Sequence, residues 1–507
     1  MHSLSVSAAL RPIGYRAKSS PNMATSLLEP VAADPPASGY PASARLRTSF
    51  RERDGIALLV SNTVGVGIFT TPALIASLVP DPRAVLALWI IGGCLALAGA
   101  ASYSRLAALW PSAGGEYVYL SRTYGPAAGF LSGWTSLIAG FSGSVAASAV
   151  AVVLYAGQYF PALASARTLA SLDFFGHSYK LTPGTLAAVC IILLFALLHM
   201  VSLSAGRFTQ NALALLIVAM FVAFAGFGFT IGHGSWSNLQ PHPVPLSAMN
   251  WLLALIPVMF TYSGWNAAAY VAEEIHENRH TMRPLLLLGT FTVMVMYVVM
   301  NALYLYAIPI GEMRDAANVG EVAARTLFGA GSNFITAALI VALLGAISAM
   351  TVAGPRVYFA MARDGAFLPA FARTSRRFGT PALAIALQSL WSIVLVLVGG
   401  FDQILMYTGF AIVLSSGAAV AGLFVVRRRG AGSGALSTTK LVAPAVFVLA
   451  STAMVINTVL DDPTLALLGV LLIAVGYPLH VWCRRRTFAA AVIPCENTTT
   501  LALPDEL

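Results

Sequence analysis

Long apolar runs separated by short polar connectors repeat along most of the chain. They lie near residues 55–79, 84–109, 125–159, 183–201, 207–232, 249–273, 285–309, 332–362, 381–400, 402–426, 440–460 and 463–483. Each is about 20 residues or longer, the length at which an α-helix crosses a hydrocarbon core ~30 Å thick. The twelve runs predict an all-α integral membrane protein, because a helix satisfies its own backbone in lipid. Two runs are interrupted. The first contains SNTVGVGIFTTP, Ser61–Pro72, with Gly65 and Gly67 inside it. The sixth contains Pro257 and then Thr261, Tyr262, Ser263 and Gly264. The breaks stand five runs apart, so they occupy equivalent places in two halves. Paired broken helices point to an inverted repeat around a midplane binding site. The predicted repeats are runs 1–5, about 54–232, and 6–10, about 249–426, with two extra helices at about 440–483. Residues 51–483 form the expected transmembrane domain.

Glycine weakens a helix by roughly 1 kcal/mol relative to alanine. Unwinding frees backbone groups, which is tolerable in a membrane only where they line a cavity or meet a ligand. Freed N–H groups at a new helix N-terminus carry partial positive charge and suit a carboxylate. Freed carbonyls at the other half-helix end suit an ammonium. One zwitterion satisfies both. The competing account is close helix packing through small residues. A lone Gly-Val-Gly favours packing, and the matched break at Tyr262–Gly264 tips the balance toward a ligand site.

Composition agrees with the pattern. Of 507 residues, 58% are hydrophobic and 10% charged, with a mean hydropathy of +0.78, which excludes an ordinary soluble protein. The net charge of +9 raises nucleic-acid binding, but its placement argues otherwise. With the N-terminus in the cytoplasm, all of the 29 Lys and Arg fall inside except Arg83, Arg167, Lys180, Arg314 and Arg325. That is a positive-inside bias, so the basic excess is a topology signal with both termini cytoplasmic, and no nucleic-acid partner is expected. Cys94, Cys190, Cys483 and Cys495 have no paired spacing, so neither disulfide nor metal is implied. Residues 1–50 are expected to be a disordered tail, rich in Ala, Ser and Pro over 1–45, with Met23 a second possible start. Residues 484–507 are expected to be a second cytoplasmic tail.

Four motifs in order carry a resemblance. GVGIF at Gly65–Phe69, PSAGGEYVYLSRTYGPAAGFLSGW at Pro111–Trp134, FTYSGWNAAAYVAEEI at Phe260–Ile275 and GPRVYFAMARDGAFLP at Gly354–Pro369 resemble the amino acid–polyamine–organocation (APC) permeases, most closely the L-type amino acid transporter branch. The likeness covers roughly residues 50–480. It implies a LeuT-like bundle of twelve helices with a central amino-acid site. Carried over residue by residue, it implies that Val64, Gly65, Val66, Gly67 and Ile68 offer backbone groups to the substrate carboxylate, with Thr63 beside them. The carbonyls of Phe260, Thr261 and Ser263 would face the α-amino group. Phe260 would close over the substrate, and Asn266 would stabilise the broken helix. Ser263 stands where relatives taking large substrates commonly have Gly, which leans toward Ala, Ser or Gly as substrate.

Two departures matter. Many members of the resembled family carry a Lys in the fifth span, about seven residues after a Gln. Here Ile217 stands seven after Gln210. Ser348 and Thr351 could then supply oxygens to Na⁺, although hydroxyls bonding their own helix backbone are the plainer account. The loop Phe160–Thr182 lacks the cysteine that animal relatives bond to a glycoprotein, so no covalent partner is expected.

Intramembrane charges are functional candidates by default, and few are visible. Glu273 and Glu274 fall at the inner end of the sixth run, near Arg279 and Arg283, as expected interfacial pairs, with Glu274 a candidate gate residue. Glu116 reads as a surface acid starting the third run, and His199 as a satisfied interface histidine. Arg363-Asp364-Gly365 reads as a helix end capped by glycine. No nucleophile–base pair, metal cluster or phosphate loop appears, so neither an enzyme nor a cofactor is expected. Polyamine transport would want pocket carboxylates, and none is seen. A proton- or sodium-coupled symporter stays open, as does a nutrient sensor on a transporter scaffold. The expectation is an inner-membrane carrier of small neutral amino acids, working by exchange or facilitated diffusion.

Overall fold

The computed structural model describes residues 46–174, 177–241, 247–316, 318–329, 333–399, 401–429 and 438–492. Residues 1–45 and 493–507, which hold most of both expected tails, Met23 and Cys495, lie outside them. All twelve apolar runs are helical. The first is a bent pair, α1 (Glu52–Thr63) and α2 (Gly67–Leu78). Then follow α3 (Pro82–Leu109), a short helix α4 (Glu116–Tyr124), and α5 (Pro126–Ala156), which carries a π-turn at Ser136–Gly140. A hairpin of β1 (Ala170–Phe174) and β2 (His177–Leu181) pairs antiparallel, Ala170 opposite Leu181, before α6 (Pro183–Val201) and α7 (Leu203–Thr230). The sixth run is α8 (Ala248–Thr261), a break, α9 (Ala267–Tyr270) and a 3-10 turn at Ala272–Glu274. Next come α10 (Asn278–Ala307), α11 (Ile310–Arg314), α12 (Val319–Phe328) and α13 (Asn333–Arg363). The chain ends with α14 (Ala382–Val398), α15 (Phe401–Arg428), α16 (Val442–Asp461), α17 (Pro463–Ala474) and α18 (Gly476–Val492).

Among the described residues nine helices are long and apolar enough to cross a membrane, or ten with α1 and α2 counted as one span bent by 48°. The difference from twelve has a local cause. The sixth run is cut short at Thr261 by its break, and α14 has 17 residues, so both are shorter apolar helices.

Helix starts follow local chemistry. Asp81 Oδ1 accepts from the Ala84 N–H at 2.9 Å, with Pro82 at the first helical position of α3. Thr182 before Pro183 and Asp462 before Pro463 repeat the device. Gly365, at φ 73°, ends α13 as the motif predicted. Residues 46–50 belong to the packed domain and not to a loose tail. Leu46 and Phe50 are buried, and the Ser49 and Phe50 N–H groups donate to Glu274 O at 2.8 and 2.9 Å.

The core is organised around the two breaks. Helix α10 packs along α3 and α1. From it the fully buried Tyr297 donates to Thr63 O at 2.8 Å and Thr261 O at 3.1 Å, the last carbonyl of each broken half. Trp89 and Tyr262 pack on the Tyr297 ring, and Tyr262 Oη donates to Trp89 O at 2.9 Å. Tyr297→Phe keeps the ring but withdraws the donor from two buried carbonyls. It is expected to cost about 1–3 kcal/mol, read as a lower unfolding midpoint in detergent. An unchanged midpoint would show that the breaks do not need this tie.

Candidate functional site

The two breaks touch. Gly67 starts α2 where the Thr261 side chain crosses it. A Cβ built on Gly67 would lie 2.9 Å from Thr261 Oγ1 and 3.0 Å from its Cγ2. Thr261 Oγ1 donates between Thr71 Oγ1, at 3.0 Å, and Pro257 O, at 2.9 Å. On the other side Gly264, at φ 107°, lies against Asn62, and a Cβ there would lie 2.7 Å from both Asn62 O and Nδ2. Each glycine thus permits a close crossing, and Gly264 also supplies a left-handed turn. Gly65 differs, because a Cβ there meets nothing within 4 Å.

Between the breaks lies a cavity of ≈130 Å³. Of the sequence-predicted residues, Thr63, Gly65, Val66, Gly67, Phe260, Thr261 and Ser263 line it. The Val64 and Ile68 side chains do not; both are fully buried in the core. Asn266 does not line it either. It borders a second cavity of ≈30 Å³ that shares Ser263 and Ile412 with the first. Phe260 is 37% exposed, so its ring does not seal the cavity here.

Besides apolar residues, the sequence reading missed three polar lining residues. Asn62 is one, and its buried Oδ1 has no hydrogen-bond partner among the described residues. Ser144 and Ser148 are the others, one turn apart on α5 just after its π-turn. Such turns are frequent at functional sites. The Ser-Asn-Thr run before the first break was the available signal for Asn62. Nothing local marked the two serines, because which face of α5 meets the cavity is decided by packing.

The ion-site candidates are occupied by other bonds. Ser348 Oγ pairs with His199 Nε2 at 2.9 Å, and Thr351 Oγ1 donates to Ile347 O at 2.7 Å within its own helix. His199 is therefore satisfied, but buried in the bundle. Ile217 is buried, with Cδ1 2.8 Å from an ideal Cβ on Gly345, so an aliphatic chain packs against α13 at this position.

The acidic residues were misplaced by the sequence reading. Glu274 is fully buried, and among the described side chains its partner is not Arg283; the expected partner Arg279 lies outside them. Arg356 of α13 grips it in a fork, Nε–Oε1 2.7 Å and Nη2–Oε2 3.0 Å. Glu273 pairs with Arg363, at 2.7 Å. Arg356 sits inside an expected span, in the Gly-Pro-Arg motif, and no local pattern marks its charge as paired, because its partner is 82 residues away. Glu116 is not a surface acid. It is 5% exposed, accepts from Tyr103 and Asn266, and begins the separate helix α4. Burial raises its carboxyl to about 7, opposed by those two hydrogen bonds.

Apolar helices of spanning length, one of them broken beside a polar-rimmed cavity, define a membrane transporter. The sequence model described as amino acid permease matches residues 54–477, and the chain belongs to that family. It is similar to the serine/threonine exchanger SteT of Bacillus subtilis (strain 168), 24% identical over 437 residues, covering 85% of this chain and 95% of that protein. It is also similar to the b(0,+)-type amino acid transporter 1 of Mus musculus, 23% identical over 432 residues, covering 83% and 85%. A third relative is the Asc-type amino acid transporter 1 of Mus musculus, 24% identical over 437 residues, covering 83% and 78%. The chain is an amino acid transporter of the APC superfamily and an integral membrane protein, not an enzyme.

Two substitutions at the break separate geometry from lining. Gly67→Leu drives a side chain into Thr261 and is expected to abolish uptake while protein still reaches the membrane. Gly65→Ala is expected to fold normally and to lower uptake only by narrowing the cavity. Wild-type uptake by Gly67→Leu would remove the crossing from the site. At the ion pair, Arg356→Met leaves Glu274 buried without its cation, at an expected cost of about 3–5 kcal/mol. The loss is read as a fall in unfolding midpoint larger than that of the double change with Glu274→Leu; equal falls would mean the pair is not coupled.

Proposed function

We propose that this protein carries small neutral L-amino acids by alternating access, as an exchanger or facilitator. One observation supports this most: both breaks border one cavity whose ≈130 Å³ is comparable to the ~150 Å³ that takes a benzene in an engineered apolar cavity. An amino acid of alanine or serine size has about as many heavy atoms. In this reading the N-terminus of α2, from Gly67, receives the carboxylate, with Thr63, Val64, Gly65, Val66 and Ile68 contributing backbone around it. The carbonyls of Phe260, Thr261 and Ser263 receive the ammonium. Thr261 O already accepts from Tyr297 and Phe260 O from the Ser263 N–H, and each carbonyl keeps a second lone pair. Phe260 swings over the substrate, and Ser263, Ser144 and Ser148 limit side-chain size and offer hydroxyls. The serine/threonine exchange named for one relative agrees with such a lining.

Glu274, locked to Arg356, helps close the opposite end as a gate residue. The twelve helical segments are read as two inverted five-segment repeats plus two helices, in a bacterial inner membrane with both termini cytoplasmic. The loop Phe160–Thr182 holds no cysteine, so the reading includes no disulfide-linked partner. Among the described residues no carboxylate lines the main cavity, which disfavours a polyamine. Ile217 and the bonded Ser348 and Thr351 disfavour a coupling cation.

The test uses purified protein in liposomes with or without internal alanine, following labelled alanine or serine. Uptake that depends on internal alanine indicates exchange, and equal uptake from empty vesicles indicates facilitation. Uptake is expected to be unchanged when Na⁺ is replaced by choline. A Na⁺ requirement would overturn ion independence and return Ser348 and Thr351 as ligands. Failure to carry any small neutral amino acid would overturn the substrate assignment.

A further inference from the structure

Glu116 is a buried acid that the transport cycle proposed above leaves unused. Its burial is built by the backbone. Gly114 and Gly115 take φ 115° and 53°, and the Gly114 N–H donates to Tyr270 O at 3.0 Å. A Cβ on Gly115 would lie 2.5 Å from the Tyr270 ring, and one on Gly114 2.8 Å from Ala360 Cβ. This glycine elbow is wedged between α9 and α13, and it turns the next residue inward. Glu116 Oε1 accepts from Tyr103 Oη at 2.7 Å and from Asn266 Nδ2 at 2.9 Å. Asn266 is where the broken sixth segment resumes its helix, and its amide also reaches Tyr270 Oη at 3.3 Å.

Through Asn266 the carboxyl is tied to the second, smaller cavity. Asn266 and Ser263 share the ≈30 Å³ cavity with Ser416 and Ser451, and Ser263 also borders the main cavity. That volume exceeds the ~10–15 Å³ that a water needs, and the lining offers polar partners. The groups facing the carboxyl are Tyr103 of α3 and Tyr270 and the neutral Asn266 of the sixth segment, and Tyr119 of its own helix packs edge-on against Tyr103. Among the described residues no cation contributes to its environment, so burial is balanced only by hydrogen bonds.

We propose that Glu116 is a positioning residue whose protonation sets how firmly the inner half of the broken sixth segment is held, so that amino-acid exchange quickens on the acid side of neutrality. It rests on the transport reading above. As a carboxylate, Glu116 holds Asn266 and Tyr103 by charge-assisted bonds, roughly twice as strong as neutral ones. As an acid it holds them weakly and carries a proton that must itself be donated. The segment beyond Asn266 must shift when the site opens to the other side, and a looser hold lowers that barrier.

The sign for stability is independent of transport. The native carboxyl, at about 7, keeps a proton that an unfolded glutamate, near 4.5, has released. Native stability from this group is full below the unfolded value and is lost as pH rises through the native one.

The test is alanine exchange in liposomes between about pH 5 and pH 8, with thermal unfolding of the same proteins in detergent. Wild-type exchange should rise several-fold as pH falls through neutrality. Glu116→Gln should give a flat profile near the acid-limit rate, and Glu116→Asp should keep a pH-dependent profile with a displaced midpoint. The wild-type unfolding midpoint should be higher at the acid end, and Glu116→Gln should erase the Glu116 share of that difference. A Glu116→Gln protein that keeps the wild-type exchange profile overturns the proposal, as does a flat wild-type profile. Should Glu116→Gln fail to fold, an unmoved midpoint in Glu116→Asp overturns it instead. Absence of exchange at every pH would sink the transport reading, while the unfolding comparison would still decide whether Glu116 titrates near neutrality.

Discussion

A helix that breaks inside a membrane must find partners for the backbone it frees, and here one hydroxyl serves two breaks. Tyr297 donates to Thr63 O and Thr261 O, which fixes the ends of α1 and α8 relative to each other and to α10. The crossings at Gly67 against Thr261 and at Gly264 against Asn62 follow from that placement. With the broken ends held apart but in register, the space between them becomes the cavity. The lining is then mostly backbone and small side chains, as suits a ligand recognised by its carboxylate and ammonium groups.

Charge is scarce in this chain, and much of what is buried lies at one end of the bundle. Glu274 with Arg356, Glu273 with Arg363, and Glu116 with Tyr103 and Asn266 all tie the stretch from Asn266 to Glu274 to its surroundings. Residues 46–50 add backbone bonds to the same stretch. The cavity side of the sixth segment is held mainly by close packing, whereas the other side is held by ionic and charge-assisted contacts. Such contacts are strong when made and costly when one partner is removed. They suit an element that must be fixed in one state and released in another.

What the sequence reveals follows the range of the interaction. The apolar runs and both breaks were legible because length, glycine and proline act locally. The lining by Thr63, Gly65, Val66, Gly67, Phe260, Thr261 and Ser263 followed from the breaks, but Val64 and Ile68 show that neighbours in a motif need not share a face. Arg356 with Glu274 was not legible, because no local pattern announces a partner 82 residues distant. Glu116 was misread for a physical reason. An acid after two glycines at a helix start is what a solvated N-terminus also looks like, and only the fold turns that elbow into the protein. Ser144 and Ser148 depended on the rotation of α5, which hydrophobicity alone does not set.

The central claim is that the two breaks recognise a zwitterion by both of its charged groups. Competition binding to the purified protein tests it most directly, with labelled L-serine displaced by L-serine, L-serine methyl ester or N-acetyl-L-serine. The account predicts displacement by serine alone, because the ester lacks the carboxylate that faces α2 and the amide lacks the ammonium that faces the carbonyls of α8. Displacement by either derivative as effective as by serine would contradict it.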